Sequence, residues 1–239
     1  MKQSRTAQLI IFCSLVFFSC ARLGASEPET VSLEEQVSGL WLYTGLTTSD
    51  GKSLPLNGIF LFKDGVFVQY AAFNGEPVKD QGAMAHAGSY STGEKSVKLM
   101  AAQTISTAPL ESKPYSSRGR TDHDISVERS GDKLTLVFGT GTIQEFELAG
   151  PGSGKVYMLE HGALALVDGY FIMVSGNDEG TDTGYGSYEK QGDAVTFEIT
   201  RWTTANPSSA SNTYDTNIKA SFDGQVLQLD DGRSFQVKR

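Results

Sequence analysis

An all-β fold, two antiparallel up-and-down barrel or half-barrel units in tandem behind a cleaved signal segment, is predicted by three observations. The first is a recurrence. Residues 58–70 read Gly-Ile-Phe-Leu-Phe-Lys-Asp-Gly-Val-Phe-Val-Gln-Tyr and residues 162–174 read Gly-Ala-Leu-Ala-Leu-Val-Asp-Gly-Tyr-Phe-Ile-Met-Val, at a spacing of 162 − 58 = 104. Gly88-Ser89-Tyr90 returns as Gly186-Ser187-Tyr188, and Thr107-Ala108-Pro109 as Ala205-Asn206-Pro207, both 98 residues on. Landmarks kept in one order at nearly one spacing mark copies of a single unit. The second observation is turn chemistry: Asp64-Gly65 and Asp168-Gly169 split alternating apolar runs, the strongest short hairpin signal, because a type I′ turn needs positive φ at both central residues. The third is a succession of short strands every ~8–12 residues with polar turns between them. No 3.6-residue periodicity occurs after residue 39.

Taken in order, residues 1–25 form the signal segment. Lys2 and Arg5 supply a basic start, and Leu9–Phe18 is an apolar run too short to span a bilayer. Two exits compete: Leu23-Gly24-Ala25 as a small-residue cleavage site, or Phe17-Phe18-Ser19-Cys20 as a lipobox with Cys20 as the lipidated residue. Removing Lys2, Arg5 and Arg22 leaves 20 − 3 = 17 basic against 28 acidic side chains, a charge of −11 for the mature chain against −8 for the whole. That acidity excludes nucleic acid as a partner, since a phosphate backbone needs a basic face. Both cysteines, Cys13 and Cys20, lie in the leader, so the mature body has no disulfide, thiol chemistry or zinc–cysteine site.

Residues 26–37 read as an acidic tether ending in one helical turn, with Ser32-Leu33-Glu34-Glu35 fitting a capping box. The first β domain is expected over 38–149. Its hairpin at Asp64-Gly65 is followed by strands at Ser96–Ile105, Asp124–Arg129, Lys133–Phe138 and Gln144–Leu148. The glycine-rich stretch Ala149–Gly154 is the joint, short enough to hinge without letting the halves separate. The second domain, 153–239, carries strands at Val156–Glu160, Tyr185–Lys190, Ala194–Thr203, Tyr214–Phe222, Gln225–Leu229 and Ser234–Lys238. Glu111–Asp122, with Arg118 and Arg120, and Ser208–Thr213 are expected as exposed loops.

At Ser38-Gly39-Leu40-Trp41 the chain presents a Gly-x-Trp at the start of its first strand, just after a helical turn. With Phe62-Lys63-Asp64-Gly65-Val66-Phe67, Ala87-Gly88-Ser89-Tyr90, Ala108-Pro109 and Ser130-Gly131-Asp132-Lys133-Leu134-Thr135-Leu136, residues 36–148 resemble the bacterial lipocalin-like domains. The second copy departs from the pattern, with Val156 where Trp41 stands. The resemblance implies a β-barrel that binds a small apolar molecule. It also implies a structural role for Gly39 and for Trp41, which would plug the barrel floor under an arginine, either Arg129 or Arg120. A few members of such families are isomerases or other enzymes.

Other constellations carry less. Asp122-His123-Asp124 has the residue types of a general base or partial metal site, but a solvated strand edge accounts for it better. His86 reads as a surface or barrel-lining residue and His161 as a turn residue. Asn177–Asp182 lacks the alternate-oxygen spacing of a calcium loop. Gly152-Ser153-Gly154-Lys155 lacks the leading glycine and the Ser/Thr of a phosphate loop. No metal or cofactor site and no catalytic set is assigned. Phe62, Val68, Tyr70, Tyr90, Arg201 and Trp202 are the candidate ligand contacts, as aromatic or branched walls with one polar anchor. The first expectation is a non-enzymatic exported protein, in the periplasm, on the outer membrane or extracellular, holding a small hydrophobic ligand. Contact with a membrane would come only through a lipid on Cys20. The alternatives are a cell-envelope structural or interaction lipoprotein with filled barrels, and a cofactor-free isomerase or hydratase with a titratable group such as His123 or Glu198 in a barrel pocket.

Overall fold

A computed structural model describes residues 31–73 and 75–239; the leader with Cys20 and the start of the tether lie outside the described residues. The described chain begins with helix α1 (Leu33–Val37). Ser32 Oγ accepts from the Glu35 N–H at 3.2 Å while the Glu35 carboxylate accepts from the Ser32 N–H at 2.9 Å, closing the capping box.

Two antiparallel sheets follow. The first holds β1 (Gly39–Thr47), β2 (Leu56–Lys63), β3 (Val66–Phe73), β4 (Ala83–Thr92), β5 (Val97–Thr107), β6 (Tyr115–Arg118), β7 (Thr121–Ser130), β8 (Lys133–Phe138) and β9 (Ile143–Gly150). Pairing runs β1-β2-β3-β4-β5-β7-β8-β9 and returns from β9 to β1, so eight strands close a barrel with β6 appended to β5. The second holds β10 (Gly154–Leu159), β11 (Gly162–Val167), β12 (Tyr170–Gly176), β13 (Thr181–Gln191), β14 (Ala194–Asn206), β15 (Ser209–Thr213), β16 (Thr216–Phe222), β17 (Val226–Leu229) and β18 (Ser234–Gln236). Its order repeats the first, with β15 appended to β14. Closure is nearly complete: β10 and β18 meet at the bridge Leu159–Val237, where the Glu160 N–H donates to the Gln236 carbonyl at 3.1 Å and the Lys238 N–H to the Met158 carbonyl at 2.8 Å.

The recurrence in the sequence is therefore a recurrence of topology. Both Asp-Gly turns have positive φ throughout, 51° and 75° at Asp64-Gly65 and 49° and 79° at Asp168-Gly169. Both β4–β5 and β13–β14 slip register once, at Ala87/Gly88 and at Tyr185/Gly186. There the partner backbone comes so close that a Cβ on Gly88 would lie 2.1 Å from the Met100 carbonyl oxygen, and one on Gly186 2.0 Å from that of Glu198.

Glu111–Asp122 and Ser208–Thr213, expected as loops, contain the strands β6 and β15. Each pairs with the overhanging end of a long neighbour, 11 residues in β5 and 13 in β14, and among the described residues has no partner on its other side. A strand held by one ladder at the rim needs no alternating apolar face, so it leaves no period-2 signal.

Strands β2, β3, β11 and β12 are buried on both faces, which is why they read as unbroken apolar runs. Their inner faces help fill the barrels, where Phe60, Phe62 and Phe67 join Trp41 of β1 in the first and Leu164 and Phe171 join Phe197 and Trp202 of β14 in the second. Their outer faces meet in a third core, where Ile59, Leu61, Val68 and Tyr70 pack with Ala163, Ala165, Ile172 and Val174. Equivalent strands face each other: β3 lies on β12, and β3 touches β13 as β4 touches β12. The clasps at the rims are reciprocal too. The Tyr115 hydroxyl on β6 donates to the carbonyls of Asn177 and Gly180 in the β12–β13 turn. Asn212 Nδ2 on β15 donates to the carbonyls of Val78 at 3.1 Å and Gln81 at 2.7 Å in the β3–β4 loop. Contacts exchanged in this way are those of an approximate two-fold interface, departing from it where β12 also packs on β5 and β11 on β4.

The joint between the barrels is not a hinge. The Asp168 carboxylate accepts from the backbone N–H of Gly152 at 2.6 Å and of Ser153 at 2.9 Å, and the shared core lies beside it. At the end of the first barrel nearest α1, Trp41 is fully buried and its Nε1 donates to the Val37 carbonyl at 2.7 Å. Arg129, not Arg120, lies over the indole, 5.0 Å from the ring, and donates to the Glu35 carbonyl at 2.9 Å. Arg120 instead pairs with Asp122 on the surface at 2.9 Å. Gly39, at the head of β1 with φ 135°, sits against Leu148 and the carbonyl of Gly150.

Candidate functional site

Above the aromatic floor of the first barrel, the inward positions change from apolar to polar. On β3 the inner face runs from Phe67 to Gln69, and on β4 His86 stands directly opposite Gln69 in the register. Tyr43 on β1 and Gln144 on β9 face the same level. A buried polar side chain needs a partner, and buried Tyr43, Gln69 and Gln144 join the half-buried His86 in a directed chain. His86 Nδ1 lies 3.0 Å from Gln69 Oε1, Gln69 Nε2 donates to the Tyr43 hydroxyl, and that hydroxyl donates to Gln144 Oε1 at 3.0 Å. Burial pushes the Tyr43 phenol well above its usual range, so it stays a hydroxyl.

This girdle opens on a cavity of about 340 Å³. Phe67, Leu99, Phe138 and Met84 give it apolar walls, and His123 faces it from β7. Towards the rim stand Thr104, Ser106 and Thr121, with Arg118 the one charged side chain in the lining. His123 packs edge-on against Phe138 at 5.7 Å and roughly parallel to the His86 ring at 6.4 Å. Alternation along β7 explains the fate of Asp122-His123-Asp124: neighbours in a strand point to opposite faces, so the imidazole enters the barrel and both carboxylates face outward. Among the described residues no group of three or more His, Cys, Asp or Glu could hold a metal ion.

Burial, and secondly the neighbouring His123, lower the His86 pKa to about 4. The unfolded imidazole titrates near 6.5, so between those values the unfolded chain binds the extra proton. His86 therefore contributes stability that is fully present above about pH 6.5 and lost as pH falls towards 4, up to about 3 kcal/mol in all. In urea titrations from pH 7.5 to 4.5, His86→Gln should show a flatter decline than the parent chain by that amount. Parallel declines would show that His86 is not desolvated.

The same level of the second barrel is built differently. At the spacing of 104, Gln69 corresponds to Met173; at 98, Met84, His86, Thr104 and Ser106 correspond to Asp182, Gly184, Trp202 and Thr204. Trp202, 2% exposed, occupies this level, with its Nε1 3.2 Å from both Asp182 Oδ1 and Thr204 Oγ1. Gly184 lies tight against the neighbouring strand: a Cβ there would stand 2.5 Å from the Arg201 carbonyl oxygen, 2.9 Å from Trp202 Cα and 3.0 Å from the indole. Arg233 pairs with Asp182 and stacks over Trp202 at 5.6 Å. A polar cleft of about 230 Å³ lies between the β12–β13 turn and β18, lined by Glu160, His161, Asn177 and Asp182 among others.

The six candidate contacts fall on three surfaces. Phe62 and Tyr90 lie inside the first barrel on the floor side, their rings 5.2 Å apart, with the Tyr90 hydroxyl donating to Glu34 at 2.5 Å. Val68 and Tyr70 lie in the core between the barrels, where the Tyr70 hydroxyl is 3.1 Å from Thr203 Oγ1. Arg201 sits at the rim of that interface, its Nε donating to Gln81 Oε1 at 3.1 Å. Trp202 fills the second barrel. None of the six lines the 340 Å³ cavity. Glu198 bonds Ser187 on the surface at 2.8 Å, away from it. The sequence signal for the cavity was present in Gln69 and His86, polar residues set in mid-strand among apolar ones.

No family model, curated protein or solved structure matches the chain. The geometry of the barrels is the ground for any functional reading.

Proposed function

We propose that this is a binding protein whose first barrel holds a small, largely apolar molecule in the cavity above the Gln69–His86 girdle. The observation that carries the reading is the difference between the two barrels: at one level of one topology, the second is plugged by Trp202 and the first is hollow. A cavity of about 340 Å³ is at the small end of the range for ligand pockets, and its apolar walls with a few polar groups suit such an occupant. The closed eight-stranded meander fits the lipocalin-like architecture in which a ligand sits inside the barrel. An imidazole held neutral down to about pH 4 is a weak proton acceptor, which favours holding a ligand over isomerase or hydratase chemistry. The basic start, short apolar run and small-residue exit support export, with Cys20 as the anchor if the lipobox exit is used.

Native mass spectrometry of the gently purified chain tests the reading. A reproducible mass increment of a few hundred daltons or less, lost on denaturation, is expected. The apo mass alone, together with no thermal shift from small aromatic probes, would overturn it.

A further inference from the structure

The His86 ring has one nitrogen committed and one spare. Gln69 uses its Nε2 on the Tyr43 hydroxyl, so its Oε1 is the atom that meets His86, and a carbonyl oxygen can only accept. Nδ1 of His86 therefore carries the proton. In a neutral imidazole the other nitrogen, Nε2, is then an acceptor. It is the ring nitrogen farther from the backbone, on a side chain that lines the cavity, and among the described residues it has no hydrogen-bond partner. The same polarity continues along the chain, where Tyr43 donates onward to Gln144 Oε1. Among the described residues no carboxylate lines the cavity to balance a cation, and the one charged group in that lining, Arg118, is exposed at the rim.

We propose that the first barrel selects an uncharged, largely apolar molecule bearing a hydroxyl or N–H group, which donates a hydrogen bond to Nε2 of His86. This rests on the reading of the cavity as a ligand site and names what that site recognises. An occupant without a donor would cover Nε2 and leave it unpaired, which carries the full desolvation cost of a buried acceptor. The selectivity thus comes from rejecting the wrong head group as much as from holding the right one.

Three probes of nearly one shape separate the possibilities at pH 7: 1-naphthol, which can donate; 1-methoxynaphthalene, which can only accept; and naphthalene. Calorimetric titration of the full chain should give roughly tenfold tighter binding of 1-naphthol than of the other two. In His86→Leu, the three should bind alike, near the affinity the parent chain shows for naphthalene. Equal affinities in the parent chain, a preference for 1-methoxynaphthalene, or a naphthol preference that survives in His86→Leu would overturn the inference while leaving the cavity as a binding site. If none of the three binds the parent chain, both the inference and the cavity reading fall. Circular dichroism of the variant, and its binding of naphthalene, show that a lost preference is not lost folding.

Discussion

Gly186→Ala and Gly88→Ala should each destabilise the protein by about 3 kcal/mol or more, and by nearly the same amount. The added methyl would stand 2.0 Å from the Glu198 carbonyl oxygen in one barrel and 2.1 Å from that of Met100 in the other. These are backbone atoms in a ladder, so relief requires moving a strand rather than a side chain. Both sites lie where the register slips, and both partners are 98 residues apart, so the pair is an internal replicate of one local geometry. Gly119→Ala, at a glycine with nothing within 4 Å of the new carbon, should change stability by only a few tenths of a kcal/mol. Urea denaturation of the three variants reads this directly. A cost below about 1 kcal/mol at either tight position, or unequal costs at the two, would show that the slips are not equivalent.

Filling the first barrel in the manner of the second should remove ligand binding without unfolding the chain. The double variant His86→Gly/Thr104→Trp places the Trp202–Gly184 pair at the equivalent level. The glycine is included because a Cβ on Gly184 would meet the neighbouring backbone first, with the indole next at 3.0 Å. The new indole N–H has Ser106 in the place of Thr204, one of the two partners Trp202 uses. A tryptophan occupies most of the hollow, so 1-naphthol binding should fall by about two orders of magnitude or more, while cavity filling keeps the melting temperature near that of the parent. Binding unchanged in a folded double variant would place the ligand elsewhere, with the polar cleft beside Asp182 as the next site to test. Loss of folding would instead show that the two interiors are not interchangeable.

How much of this was legible in the sequence follows from which signals are local. The capping box at Ser32–Glu35 and the Asp-Gly hairpins are set by nearest neighbours, and they stand where the residues placed them. The order of the copies was legible because topology repeats with spacing. The rim strands β6 and β15 were not, since each takes its hydrogen bonds from a single neighbour and shows no apolar alternation. The lining of the cavity was hardest. Strands such as β2 and β3 are apolar on both faces, so period 2 separates two sets of residues without saying which set faces a lumen. Phe62 faces one lumen, while Val68 and Tyr70 face the other barrel. What distinguishes the cavity is polarity out of place, Gln69 and His86 within apolar strands, together with the partners that three-dimensional closure brings to them.

The reciprocal packing of β3 on β12 has a consequence for how such a chain could arise. A single barrel with this outer face would be sticky and self-complementary, and would associate with an identical copy through the same patch on each. Joining two such genes head to tail turns that homodimer into one polypeptide with its interface already made. Fusion also lifts the obligation for both halves to be alike. One lumen can then be packed solid around a tryptophan while the other stays hollow.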